Sequence, residues 1–510
     1  MSNDCTSATD AYFHDQIDKQ YRQAVPTPVA LPLQTDFCVE ALANLTSEKL
    51  QALESLILYK NVSQLQAALD MSFFSVYDLT LFFLHRAIHL NDNYNAIISL
   101  NPNCLEHACM MDARLKAGEA TLGLMGIPIW IKDNIATCDP VPTTGGAVAL
   151  SHCFSVKDAP VVSELKKAGA IILGKTNLSE WANFMSSQSS NGYSTLGGQT
   201  RSPYGEFDVG GSSSGSAVAV ALGLSPVTIG SETCGSLVYP ASQNGVVTLK
   251  PPHESLSGFG VLPIASSLDT VGPISLTVPD AYLTYCALGG KFPQDVHPDF
   301  LHASLHKKRI GLALSPALTS EFRQGDLEFL YHIKEELTRF GAEVLTVNIP
   351  EAAFTPPLVQ VLYEEFEPCL NDYFAYVSCT DSLQRIIQFN SEDMASRAPF
   401  GQDLLETCLK TTNRIASPET IQMQELCKNA LLRVLNDHKL DAIYNLSNYL
   451  AVLHALSGFP ALNVPCGQRP SGEPIGVTFI SKPSHLKDLF EIAHLYQENT
   501  QHQRHPILPD

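Results

Sequence analysis

Over the first 40 or so residues, apolar and polar positions follow no period and prolines recur, so residues 1 to about 40 are expected to form a loosely packed arm. Helical spacing begins at residue 41, with apolar residues three or four positions apart over 41–70 and again over 75–92. The most apolar stretch, SFFSVYDLTLFFLHRAIHL from Ser72, is interrupted by Asp78, His85 and Arg86. That pattern predicts an amphipathic helix seated on a core, and it is too broken for a membrane span. Its polar face is not basic, so a membrane surface offers it little.

Beyond residue 120 the period switches back and forth. GIPIWIKDN (126–134) reads as a β-branched strand running into a loop, and DAPVVSELKKAGA (158–170) as an amphipathic helix with Asp158 as cap and a glycine stop. IILGKTN (171–177) is a short buried strand, and SEWANFM (179–185) is expected to open another helix. A short Ala/Val helix (215–223), a strand near 226–230 and a strand–helix–strand unit over 308–350 continue the alternation. Strands that cross over through helices build an α/β sheet. Residues 355–440 carry Leu, Tyr and Phe at helical spacing, and the chain closes with strands in a hairpin-like unit and a helix.

Residues 180–215 break this rhythm, being rich in Ser, Gly and Asn. Such composition suits a flexible linker, yet the segment joins two stretches of the same α/β texture. Long loops without periodicity inside a compact domain tend to carry function.

The chain has 510 residues, 45% of them hydrophobic, enough for a large core. Its formal net charge of -20 repels phosphate backbones, which argues against nucleic-acid binding as the main role. The 13 cysteines are scattered and never spaced as CxxC, so they are expected to be reduced thiols without a zinc site. The N-terminus has no basic start followed by an apolar stretch, and a cytoplasmic protein is expected.

Two glycine-serine tracts remain, GGSSSG (210–215) and GSETCGS (230–236). A serine hydroxyl needs a base to become a nucleophile. No histidine occurs between Phe154 and Pro252, which weakens a local Ser–His pair without excluding a distant one. Lys132 ends an apolar strand, where burial would lower its pKa and free an amine to accept a proton. It can equally be read as a lysine that snorkels or pairs with Asp133. The glycines of TCGS permit a tight turn that aims amides at an oxyanion, or simply a turn. GSSSG also fits G-x-S-x-G with Ser213 central, but no apolar strand leads into it.

Together GIPIWIKDNI, GGSSSGSAVAVALGLSPVTIGSETCGSLVYPA and NGVVTLKPP resemble the amidase signature family. LDTVGP (268–273), GFPALNVPCG (458–467) and GVTFIS (476–481) extend the resemblance from about residue 70 to the C-terminus. KTNLSEWANF, GGQTRSPY and LYEEFEPCLNDYFA are similar to its peptide-amidase-like branch. The resemblance implies a hydrolase of linear amides with Ser236 as nucleophile, Ser212 at a cis peptide bond as proton relay, and Lys132 as base. It implies an oxyanion hole from the amides of Thr233, Cys234, Gly235 and Ser236, a small-molecule or peptidic amide as substrate, and neither metal nor cofactor. The fold it implies is one large α/β/α domain around a mixed twisted sheet. That domain would span 71–505, with an N-terminal arm and helices over 1–70, a catalytic core at about 120–275 and a helical insertion at about 355–440.

Glu232 stands where most members have Asp, Cys234 where most have Gly, and Val238 where most have Arg. TLKPPHESLSGFG departs from the common GLKPTxGxVSxxG. These departures bear on substrate more than on catalysis. Two other functions share the signature: the amidase subunit of a tRNA-dependent amidotransferase, and a non-catalytic binding module.

Overall fold

A computed structural model describes residues 32–119, 123–353, 358–411 and 417–508; most of the expected N-terminal arm lies outside them. The described residues contain thirteen strands. In chain order they are β1 (Ile97–Leu100), β2 (Pro128–Lys132), β3 (Ile171–Thr176), β4 (Tyr193–Ser194), β5 (Gly198–Gln199), β6 (Val227–Glu232), β7 (Val247–Lys250), β8 (Thr270–Ser275), β9 (Arg309–Leu314), β10 (Glu343–Asn348), β11 (Ala442–Leu446), β12 (Ala461–Gln468) and β13 (Pro474–Ile480). Two of them, β4 and β5, make a small ribbon inside the Ser/Gly-rich stretch. The other eleven form one mixed sheet, flanked by helices, in the order β1-β3-β2-β6-β8-β7-β12-β13-β11-β9-β10.

The parallel trio β3-β2-β6 positions the site. Every residue of these strands is buried, as expected where helices cover both faces and the sequence runs apolar without alternation. Lys132 closes β2 and Glu232 closes β6, so the loops leaving both strands meet at the same edge of the sheet. Carboxyl ends of parallel strands are where α/β sheets build their sites.

One face carries the helix Val76–Tyr94, which buries Leu79, Phe82, Phe83 and Ala87 in a cluster with Trp130, Ile129 and Val227. Ser75 and Asp78 close a reciprocal capping box at its start. The insertion is helical where described: Leu358–Val377, Leu383–Ser391, Met394–Arg397, Asp403–Lys410 and Pro418–Asp437. Phe366, Tyr373 and Phe374 are core residues of the cluster that also holds Trp181 and Phe184, and Tyr376 donates from its hydroxyl to the Asp158 carbonyl at 2.8 Å.

Three expectations change. Asp158 does not cap the helix Pro160–Lys167; its carboxylate accepts from the Cys138 amide at 2.7 Å and pairs with Lys166. The cap position falls on Ala159, one residue beyond Asp158, and Pro160 starts the helix with its φ already set for it. SEWANFM forms only the short turn Glu180–Asn183, because Trp181, Ala182 and Asn183 all adopt left-handed backbone angles. The cysteines are not all free: Cys153 and Cys379 form a disulfide with Cα atoms 5.9 Å apart, joining the loop after residues 148–150 to the end of helix Leu358–Val377.

Candidate active site

Lys132 is fully buried, and its Nζ donates to Ser212 Oγ at 2.7 Å, Ser231 Oγ at 3.0 Å and the Ser231 carbonyl at 3.2 Å. Burial lowers its pKa to about 7, with Asp269 and Glu232 partly opposing the shift. It does not pair with Asp133. That carboxylate instead accepts from the Thr144 hydroxyl and from the amides of Thr144 and Gly146, while the Lys175 charge partly offsets its burial.

The serine trio divides its work. The Gly211–Ser212 peptide bond is cis, and the Ser212 hydroxyl receives the lysine contact. Ser213 Oγ donates to the Ser231 carbonyl at 2.9 Å and accepts from the Ser231 amide at 3.2 Å, so it stitches this loop to β6 and is committed elsewhere. Ser214 Oγ donates to the Gly210 carbonyl at 2.6 Å at the start of helix Ser214–Ala221. The Ser213 amide donates to the Ser236 carbonyl at 3.2 Å, which brings the second tract against the first. Lys132, Ser212 and Ser236 thus lie in one buried constellation, with the nucleophile candidate 8% exposed.

Around Ser236 the chain turns at Gly235, whose φ of +86° only glycine adopts easily. The Glu232 carboxylate accepts from the amides of Leu237 at 2.7 Å and Val238 at 3.1 Å, and from that of Gly235. Among the described residues, the amides of Thr233, Cys234 and Ser236 have no hydrogen-bond partner within the protein. Three unpaired donors in a glycine turn beside a serine suit a developing negative charge. Burial pushes the Cys234 thiol well above its ordinary pKa, so it stays a neutral, unreactive group.

Sequence reasoning missed the supports. Asp269 accepts from the Thr233 hydroxyl and from the amides of Ile264 at 2.8 Å and Ala265 at 3.1 Å, tying the turn at 233–236 to the next loop. Burial raises its pKa to about 7. Asn134 donates to Ser231 Oγ at 2.9 Å, two residues after the lysine it helps orient. Beside Glu232 lies the buried His454, its Nδ1 3.4 Å from Oε1, and burial keeps that imidazole neutral. Lys250 donates to the carbonyls of His454 and Phe459. The aspartate in LDTVGP was the one visible signal, a charge set among apolar residues.

The pattern of the Amidase family matches residues 78–489. A probable amidase from Arabidopsis thaliana is 34% identical over 82% of this chain and 85% of its own length. The solved structure of the native peptide amidase from Stenotrophomonas maltophilia superposes with a TM-score of 0.81 at 34% identity, over 89% of this chain and 99% of that one. A glutamyl-tRNA(Gln) amidotransferase subunit from a Picosynechococcus strain is 32% identical over 79% of this chain and 90% of its own length. A match over most of the chain, spanning the strand end and loops that hold Lys132, Ser212 and Ser236, means that this chain belongs to the amidase, or amidase signature, family.

Proposed function

We propose that the protein hydrolyses linear carboxamides through Lys132, Ser212 and Ser236. The observation that carries this reading is the 2.7 Å contact from a buried Lys132 to Ser212 Oγ, with Ser236 on the adjoining turn. Neutral Lys132 takes the Ser212 proton as Ser212 takes that of Ser236, and Ser236 Oγ bonds to the amide carbon. The carbonyl oxygen becomes an oxyanion facing the amides of Thr233, Cys234 and Ser236, with Gly235 setting the turn. When the C–N bond breaks, the proton passes back through Ser212 to the leaving nitrogen. Ammonia or an amine departs and an ester remains on Ser236. Water, deprotonated by the same relay, then releases the acid and restores the serine. The residues supply the whole proton path, so the reaction requires no cofactor.

In this reading residues 71–505 work as one amidase domain, preceded by the N-terminal arm and helices of 1–70, and the insertion at 355–440 roofs the pocket. Likeness to a peptide amidase favours peptidic or other primary carboxamides as substrates. The Cys153–Cys379 disulfide weighs against cytoplasmic residence, since reducing thiol pools make such bonds rare there. The test is ammonia release from a panel of primary carboxamides, including C-terminally amidated dipeptides, by wild-type and Ser236→Ala protein of equal fold. Turnover retained by the alanine variant sinks the assignment.

The amidotransferase relative supports a second reading, a glutaminase that works with a tRNA-holding partner. That role predicts glutamine hydrolysis that rises when partner proteins are supplied. Turnover of simple carboxamides by the isolated chain, with no response to cell extract, decides for the hydrolase.

A further inference from the structure

Away from the serine turn, two imidazoles and a carboxylate converge. His332 and Glu336 lie one turn apart on the helix Asp326–Arg339, and His502 comes from the segment that follows the helix Leu486–Thr500. Both imidazoles present Nε2 to the same oxygen, Glu336 Oε1, at 3.3 Å for His332 and 2.8 Å for His502. The three ligand atoms all lie within 4.8 Å of one another. Zinc bonds of about 2.0–2.2 Å at tetrahedral angles need ligand atoms roughly 3.3–3.6 Å apart, so small side-chain adjustments suffice.

The surroundings suit a dication. The Glu336 side chain is 4% exposed, while those of His332 and His502 are 56% and 25% exposed, leaving an entry path. Tyr496 donates from its hydroxyl to Glu336 Oε2 at 2.8 Å, fixing the carboxylate as outer partners of metal ligands do. Arg339 approaches Glu336 Oε1 only to 3.9 Å and is 68% exposed, so it can turn to solvent. The other candidate clusters among the described residues are already committed. Cys153 and Cys379 are bonded to each other beside His152 and Asp381, and Lys308 neutralises Asp488 beside Asp441 and His485.

We propose that His332, Glu336 and His502 bind one zinc ion, with water completing the tetrahedron, and that the ion fastens the C-terminal segment to the body. Each neutral imidazole gives its Nε2 lone pair and carries its proton on Nδ1. The segment already runs across the surface through the Arg504 carbonyl bonded to Tyr204 at 2.7 Å and His505 stacked on Tyr59 at 3.6 Å. The site is independent of amide hydrolysis.

The test uses untagged full-length protein stripped with a chelator, then titrated with zinc by calorimetry and with cobalt by visible absorption. One ion per chain and the intense bands of tetrahedral cobalt are expected. His332→Ala and His502→Ala should each weaken zinc binding by more than the roughly 10–100-fold that loss of an outer partner costs, and Tyr496→Phe by about that amount. Zinc should slow hydrogen exchange across residues 501–508. Absence of the cobalt bands, binding unchanged in either histidine variant, or exchange unchanged by bound zinc would each overturn the site.

Discussion

Lys132 must be neutral to accept a proton, and burial brings its pKa to about 7. For a lysine lowered in this way the reactive form is the deprotonated one. Activity should therefore rise about tenfold per pH unit below about 7 and level off above it, read as kcat/KM across pH. A flat profile, or one that falls through that range, excludes this lysine as base. Lys132→Met should lose about 1,000-fold or more in kcat while circular dichroism stays native. Asp269→Asn acts at one remove, by loosening Thr233, and kcat should fall roughly 10–100-fold with KM little changed. Lys132, Ser212 and Ser236 entered as candidates through the family resemblance, carried by a lysine at a strand end and two glycine-serine tracts, and the fold brings that lysine and those tracts together. The supporting roles of Asp269, Glu232 and Asn134 were not legible in the sequence, since what they do depends on contacts such as the one between Asp269 and Thr233, 36 positions apart. Composition carries no trace of such a pairing.

Among the elements, those with a clean period were readable. The helix Val76–Tyr94 and the strands Pro128–Lys132 and Ile171–Thr176 appear close to where their patterns put them. The turn at Trp181–Asn183 was not readable, because its left-handed backbone goes with long-range contacts, the packing of Trp181 on Phe366 and the Trp181 amide donating to the Gly145 carbonyl at 2.9 Å. Sheet order was equally hidden: β8 lies between β6 and β7, and nothing local specifies which strands are neighbours. The Cys153–Cys379 bond belongs to the same class, linking residues 226 positions apart. It ties the insertion to the stretch of chain just beyond Thr144 and Gly146, which bind Asp133. Closing so long a loop constrains the unfolded chain, and its loss costs about 2–5 kcal/mol. Cys379→Ala should thus melt several degrees lower than wild type by scanning calorimetry. Reductant should bring wild type down to the same temperature and leave the variant unmoved, whereas a wild type indifferent to reductant would show that the bond carries no stability.

At the scale of the whole molecule, the formal charge of -20 is spread over the chain and position 238, two residues after Ser236, is Val rather than Arg. A field of that sign attracts cations and repels anions over distances set by the Debye length, about 10 Å at 0.1 M salt and roughly 30 Å at 0.01 M. The same field disfavours a partner such as tRNA unless a basic protein intervenes, which is why the free-standing hydrolase is the stronger reading. The consequence for substrates is measurable. Between a cationic carboxamide and an anionic one of equal length, kcat/KM should favour the cation most at low ionic strength. The preference should shrink several-fold as salt rises from about 0.01 M to 0.1 M and beyond, while a neutral amide changes little. The salt dependence should sit in kcat/KM, where encounter and binding are counted, and leave kcat nearly constant because the acyl-transfer groups are buried away from the screening ions. An anion preferred at low salt would mean that a local cationic subsite overrides the surface field.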